Sequence, residues 1–381
     1  MSSASGRIRA LMLNYEFPPL GGGTGAACQQ LLEAFSGYPE VQVVLVTSGS
    51  GNQATAEHTS HGPTIHRLPV GKRDPHFWRA NELVRWTWRA HRFATRLVQS
   101  GPFDLCHCWA GWPPGVLGYR LRSSLPYLVS LRGSDVPGYS ARLALLDPLV
   151  FRRLSKRVWG EAGAVVAVSE ALRQLAHQTC PDVDIQVIPN AADTVRFTPG
   201  AEADAYTVLF VGRLIPRKRI GDLLTAFRDV RERIRSARLV IVGDGPEADR
   251  LKAMARAMAL EDAVRFTGGL HRDALPDLYR SASVFVLPSQ HEGMSNALLE
   301  AMASGLPVVT TISTPKLLDG NGVAVSPGRP SQIAEALLRY GLDPELRRAH
   351  GRRSRELAEE TSWSAVAQWY LGVYRSLADG R

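Results

Sequence analysis

The chain has 381 residues, 45% of them hydrophobic and 21% charged, and its 45 lysines and arginines exceed its 36 aspartates and glutamates to give a formal net charge of +9. That length predicts two domains, each large enough for a core of its own. No apolar run reaches the eighteen or so residues of a membrane helix, and the four cysteines are too few for a disulfide scaffold, so a reduced, cytoplasmic setting is expected.

Residues 1–7 lack an apolar signal segment, and the first predicted element is a buried strand at 8–13. Gly21, Gly22 and Gly23 then form a loop ahead of a helix predicted from about 25 to 35. Without Cβ atoms such a loop lets backbone N–H groups approach a phosphate. The same glycines also suit a purely conformational turn, and they lack the Gly-x-Gly-x-x-Gly spacing of a dinucleotide site. A second strand is expected at 41–46. Residues 72–96 interleave arginines with Trp78, Trp86, Trp88 and Phe93. Either this stretch is a basic amphipathic helix resting on an anionic membrane surface, peripheral to its inner face, or Trp86, Phe93 and Leu97 pack inward and the arginines are solvated. Nucleic-acid binding is not expected, because no binding motif accompanies the charge.

Cys106, His107 and Cys108 alternate on a strand predicted at 104–108, which divides them between two faces. No second ligand pair lies nearby in sequence, so the cysteines read as structural. Strands continue at 127–130, 164–168 and 184–188. Turn residues over 189–200 mark a boundary, and a second series of strands and helices opens at 207–211. Alternation of this kind argues for parallel sheets covered by helices, and two such halves facing each other leave a cleft for a ligand.

Glu292 and Glu300 flank the start of a helix predicted directly after the buried run 284–288. Asn296 is expected to be its N-cap, with the free N–H groups of the first turn attracting an anion. Glu300, four residues on, lies on the same face about 6 Å further along the axis. A diphosphate at the helix tip would bring a ribose to Glu300 and leave Glu292 the group on its other side. Acids early in a helix also complement its dipole, which is the plain structural alternative.

The run Glu292-Gly293-Met294-Ser295-Asn296-Ala297-Leu298-Leu299-Glu300 resembles the Glu-x7-Glu signature of retaining glycosyltransferases of family four. Residues 15–23 resemble that family's glycine-rich first loop, and 211–222, with Arg213 and Lys218, its diphosphate-contacting segment. Residues 239–246 and 264–270 resemble two further strand-loop pieces near the nucleotide, and motif order is kept over nearly the whole chain. The resemblance implies an α/β GT-B fold with parallel sheets facing a central cleft. Its parts would be an acceptor-side Rossmann-like domain over 1–196, a sugar-nucleotide-binding Rossmann-like domain over 197–360, and a last helix over 361–381 crossing back to the first.

The resemblance also implies transfer of a sugar from a nucleotide-sugar donor to a hydroxyl of a glycan, a lipid-linked sugar or a small molecule. The anomeric configuration is kept, and the leaving phosphate itself takes the acceptor proton. In that scheme Glu292 holds donor-sugar hydroxyls, Glu300 holds the ribose, and Arg213 and Lys218 neutralise the departing diphosphate. Gly293, Met294, Ser295 and Asn296 supply the phosphate-binding turn, Gly268 and Leu270 lie beside the base, and Gly22 and Gly23 border the diphosphate and the acceptor. Arg217 and Arg219 read as a solvated basic loop. No cofactor and no divalent metal is required, the donor being a substrate.

One position departs from the family. Many relatives place a His in a first-domain loop where this chain has Arg132. Arginine stays protonated at neutral pH and cannot serve as a base; it is read as binding a phosphate or carboxylate on a substrate, with Asp135 as a secondary catalytic candidate. Two rival functions share these features: a GT-B-fold epimerase that converts a sugar nucleotide without any acceptor, and a non-catalytic sugar-nucleotide-binding module.

Overall fold

Apolar runs covered on both faces build the central strands of each sheet, so these appear as continuous apolar stretches rather than alternating ones. The computed structural model describes residues 7–58, 62–72, 74, 78–139, 150–201, 205–290, 292, 294–312, 314 and 317–380. The chain divides into two units, residues 1–190 with 363–381, and residues 191–362.

In chain order the first unit holds β1 (Ile8–Leu13), α1 (Gly23–Phe35), β2 (Val41–Gly49), β3 (Thr55–His58), β4 (Thr64–Pro69), α2 (Ala80–Ser100), β5 (Leu105–Cys108), α3 (Pro114–Leu121), β6 (Tyr127–Leu131), α4 (Arg152–Gly160), β7 (Ala164–Ala167), α5 (Glu170–His177) and β8 (Ile185–Val187). Its strands run in the order β3-β4-β2-β1-β5-β6-β7-β8, parallel throughout except for the β3–β4 pair.

The second unit holds β9 (Thr207–Val211), α6 (Ile220–Arg233), β10 (Arg238–Val242), α7 (Ala248–Ala257), β11 (Val264–Gly268), α8 (Leu275–Arg280), β12 (Val284–Leu287), α9 (Asn296–Ala303), β13 (Val308–Thr310), β14 (Gly322–Ala324), α10 (Pro330–Leu342) and α11 (Pro344–Glu359). Its sheet is parallel, in the order β11-β10-β9-β12-β13-β14. The final helix, α12 (Trp363–Asp379), belongs to the first unit, where Tyr370, Tyr374 and Leu377 are among its buried residues and it packs against α1, β1 and β5.

Strand order reverses between β1 and β5 in one sheet and between β9 and β12 in the other. Doubly wound sheets bind ligands beyond the carboxyl ends of strands at such reversals. The chain crosses between units at 190/191 and returns at 362/363, rather than at 196/197 and 360/361 as turn residues and family pattern suggested. Contacts explain the difference: Arg355 donates to the carbonyls of Thr194 at 3.1 Å and Phe197 at 2.8 Å, and Ala192 bridges to Ser362. The connecting segment is thereby fastened to the second unit.

Three loops of the second unit interlock at the carboxyl edge of its sheet. Gly212 N–H donates to Val242 O at 3.0 Å, Leu214 N–H to Asp244 O at 2.8 Å, and Gly243 N–H to Gly268 O at 2.9 Å. Gly243 has φ +131°, and a Cβ there would collide with the Gly212 carbonyl oxygen. Glycine is therefore required for this close approach, which fixes the backbone on either side of Arg213. No helix among the described residues is long and apolar enough to cross a membrane.

Candidate functional site

The site in the second unit starts where β9 ends. Residues Pro216–Lys218 form a single 3-10 turn closed by Arg219 at φ 51°, and Gln290 N–H donates to Arg217 O at 2.8 Å, holding the turn against the segment after β12. Lys218 Nζ donates to Glu292 Oε1 at 2.6 Å, with Arg217 Nη1 3.9 Å from Oε2. The Lys218 and Glu292 side chains are only 10% and 8% exposed. Burial pushes the Glu292 carboxyl up, but Lys218 and Arg217 outweigh it and hold the group below its ordinary value. Burial pulls Lys218 below its ordinary value despite the Glu292 charge, and nearby Arg217 and Arg213 pull it further. Two cations thus hold the Glu292 carboxylate, and Arg213 adds its charge beside Lys218, an arrangement suited to receiving more negative charge. Arg217 belongs to this cluster and is not solvated loop; Arg219 instead pairs with Asp222 at 2.6 Å.

The N-cap of helix α9 lies one residue earlier than the sequence placed it. Ser295, in extended geometry, is the N-cap: its Oγ accepts from Leu298 N–H at 3.4 Å, and Asn296 is the first helical residue. Both residue types cap well, and the one with extended backbone takes the role. Met294 packs against the core of its unit, while Gly293 lies outside the described residues. Glu300 Oε2 accepts from the buried Tyr279 hydroxyl at 3.1 Å, and Tyr279 also donates to Ala297 O at 3.1 Å. Burial raises the Glu300 carboxyl to about 7, against the pull of Arg272, the Tyr279 hydrogen bond and Arg196. Gly268 has φ +72° and Leu270 is exposed.

In the first unit the three central strands β1, β5 and β6 end side by side. After β1, Gly22 caps α1 and its N–H donates to Glu16 Oε2 at 3.4 Å, with Gly23 opening the helix. After β5 comes Trp109, whose Nε1 donates to Thr24 O at 3.0 Å in the first turn of α1. After β6 comes Arg132, its guanidinium stacked 3.9 Å from the Trp109 ring centroid and its Nη2 donating to Asn190 Oδ1 at 3.1 Å. Asp135 does not present a free carboxylate: Oδ1 accepts from the N–H groups of Arg132 and Gly133, and Oδ2 from that of Gly111. With both oxygens committed, it shapes the loop rather than serving as an acid or base.

Behind these residues runs a buried polar chain. His107 meets Tyr374 OH and Ser130 Oγ, each at 2.7 Å, and Ser130 meets Tyr370 OH at 3.1 Å. Burial, seconded by the Arg132 charge, holds His107 well below its ordinary range, hence neutral. Cys106 and Cys108 share the opposite face, their sulfurs 3.8 Å apart. Sequence reading missed Tyr279, Arg272, Trp109, Asn190 and Tyr370, none of which sits in a motif.

Two doubly wound units, one carrying a carboxylate held by Lys218 and Arg217 ahead of a helix, have the layout of a glycosyltransferase. Residues 21–196 match Glycosyltransferase Family 4, and residues 192–357 match Glycosyl transferases group 1. The chain belongs to the family-4 glycosyltransferases. It is 31% identical over 272 residues to a GDP-mannose-dependent alpha-(1-6)-phosphatidylinositol monomannoside mannosyltransferase of Mycobacterium tuberculosis, covering 65% of this chain and 69% of the relative. A D-inositol 3-phosphate glycosyltransferase of Kribbella flavida is 30% identical over 320 residues, covering 76% and 75%. A solved sucrose-phosphate synthase from Thermosynechococcus elongatus superposes with a TM-score of 0.84 over 98% of this chain and 100% of its own, at 22% identity. The fold is GT-B.

Proposed function

We propose that this glycosyltransferase takes its sugar from a nucleoside-diphosphate donor and delivers it, with retention of anomeric configuration, to an acceptor hydroxyl. The observation that carries the reading is the Lys218–Glu292 pair at 2.6 Å, with Arg217 and Arg213 beside it. In this reading Lys218 and Arg213 meet the diphosphate as its charge builds, the turn at Ser295 and Asn296 presents N–H groups to the phosphates, Glu292 orients donor-sugar hydroxyls, and Glu300 accepts from the ribose. Gly22 and Gly23 serve the donor diphosphate and the acceptor, and Gly268 and Leu270 the base. Both named relatives use phosphorylated or nucleotide-activated partners, which favours this class over an epimerase or a binding module.

A thermal-shift and calorimetric screen of UDP, GDP, ADP and their hexose conjugates tests the reading. One of these should raise the parent's Tm by several degrees, as roughly 1–3 kcal/mol of linkage does, and fail to do so for Glu300→Ala. Equal binding by parent and variant, or by neither, would sink it.

We further infer peripheral contact with an anionic membrane through α2. Trp86 is buried and Phe93 packs against His66 with ring centroids 4.9 Å apart, while Arg85 and Arg89 donate to the carbonyls of Val70 and Pro69. That inward half follows the packing alternative. The outward half leaves Val84 and Trp88 exposed at 70% and 59%, Arg92 stacked on Trp88, and Arg96 in solvent. Co-sedimentation with phosphatidylglycerol vesicles should exceed that with phosphatidylcholine vesicles and drop about tenfold in Trp88→Ser/Arg92→Ser. Identical partitioning of parent and variant would remove α2 from any membrane contact.

A further inference from the structure

We propose that Arg132 forms a subsite for an anionic group, a phosphate or a carboxylate, carried by a sugar substrate. The chemistry of that substrate rests on the glycosyltransferase reading, whereas the geometry comes from the first unit alone. Arg132 is the first residue beyond β6, at the carboxyl edge of the sheet and beside the strand reversal between β1 and β5. Its neighbours there are the Trp109 ring, the Asn190 amide, and Tyr370 of α12.

Those neighbours orient a guanidinium but do not neutralise it. Asn190 offers one amide oxygen, and Trp109 offers a ring face. The acid on the same loop, Asp135, has both oxygens turned to backbone N–H groups. Burial acts against the charged form of Arg132 more than any other influence on it. An arginine partly withdrawn from water, with no carboxylate within ion-pair distance among the described residues, is costly to the fold alone. It becomes favourable once an anion arrives, because a guanidinium fork binds phosphate or carboxylate through two parallel hydrogen bonds.

The surroundings are built for positioning. Trp109 is fixed by its indole N–H on Thr24 O, which ties the stacking platform to the first turn of α1. Asp135 holds the Arg132 backbone, and the buried His107–Ser130–Tyr370 chain fixes the α12 side. A purely structural arginine would spend its donors on carbonyls or carboxylates of its own unit, as Arg355 does with three backbone carbonyls in the second. Among the described residues Arg132 makes side-chain hydrogen bonds only to the neutral Asn190 amide and the Tyr370 hydroxyl, not to a backbone carbonyl or a carboxylate.

The test is calorimetric titration of the full chain with three probes: a hexose 6-phosphate, a hexuronate and the neutral hexose. Each is titrated with and without saturating nucleoside diphosphate. The parent should bind one charged probe about tenfold or more tightly than the neutral one. Which charged probe prevails identifies phosphate or carboxylate as the source. Arg132→Gln should abolish that preference while leaving nucleoside-diphosphate affinity unchanged. Arg132→Lys, which keeps charge and bulk but loses the fork, should retain part of it, and it keeps the test valid if the Gln variant fails to fold. Absence of a preference in the parent, or an undiminished preference in both variants, overturns the proposal. So does a loss confined to the nucleoside diphosphate, which would make the donor's own phosphates the ligand. Glu300→Ala separates the two readings: if it leaves nucleotide binding intact while the Arg132 preference holds, the donor-site assignment fails and this subsite stands.

Discussion

Lys218→Met is expected to lower transfer by about 10²–10³-fold, the usual cost of removing one preorganised group that stabilises developing charge. The same change should destabilise the second unit by about 3 kcal/mol, because it strands Glu292 as a buried carboxylate without its ammonium partner. Arg217, 3.9 Å from the other carboxylate oxygen, relieves part of that cost but cannot replace a 2.6 Å charged hydrogen bond. These two consequences separate in a second variant. Lys218→Met/Glu292→Gln removes the stranded charge and should regain most of the lost stability, yet turnover should stay at or below that of the single variant. Urea denaturation and steady-state rates on the parent, Lys218→Met, Glu292→Gln and the double variant form a double-mutant cycle. Additive stability losses would show that the pair is not coupled, and a single variant with parental kcat/KM would take Lys218 out of the reaction.

How much of this was legible in the sequence depends on the range of the forces involved. Strands at 8–13 and 207–211 fall where the apolar runs placed them, because a parallel strand covered on both faces needs only a short continuous run. The strand predicted at 41–46 continues to Gly49, since Ser48 and Gly49 pair with Leu68 and Pro69 of β4. That extension, and β3 and β4 themselves, lay hidden because β3 is an exposed, polar edge strand and β4 beside it has only a sparse apolar pattern, Ile65 and Leu68 being its buried residues. Cap register was ambiguous for a local reason, as Ser295 and Asn296 are adjacent and equally apt. The carboxylate and cation set around α9 was visible as residue types at fixed spacing. What those residues touch was not: Tyr279 reaches Glu300 across 21 residues, Asn190 reaches Arg132 across 58, and Tyr374 reaches His107 across 267. Asp135 looked reactive in sequence because an acid in a loop carries no sign of whether its oxygens are already bonded.

Between about pH 5 and pH 7 the unliganded protein is expected to lose stability while gaining affinity for nucleotide, both through Glu300. Burial above all raises this carboxyl to about 7. The folded chain therefore holds the proton more tightly than the unfolded chain does. The contribution is full below the unfolded value near 4.5 and is lost as pH rises through about 7, with a slope of at most about 1.4 kcal/mol per pH unit for one proton. Ribose binding has the opposite sign. The ionised carboxylate accepts from the two ribose hydroxyls far more strongly than the protonated acid, so affinity should climb by up to about tenfold per pH unit and level off above about pH 7. Glu300→Gln carries no titrating group and should flatten both slopes. Its nucleotide binding at about pH 8 should be weaker by roughly 2 kcal/mol, the worth of hydrogen bonds to a charged acceptor. Thermal melts and calorimetric titrations of parent and variant across this range read the two effects separately. Parallel pH profiles for parent and Glu300→Gln would mean that other groups titrate and that Glu300 does not meet the ribose. A parent profile that alone falls in stability and rises in affinity would place an ionisable carboxylate at the nucleotide.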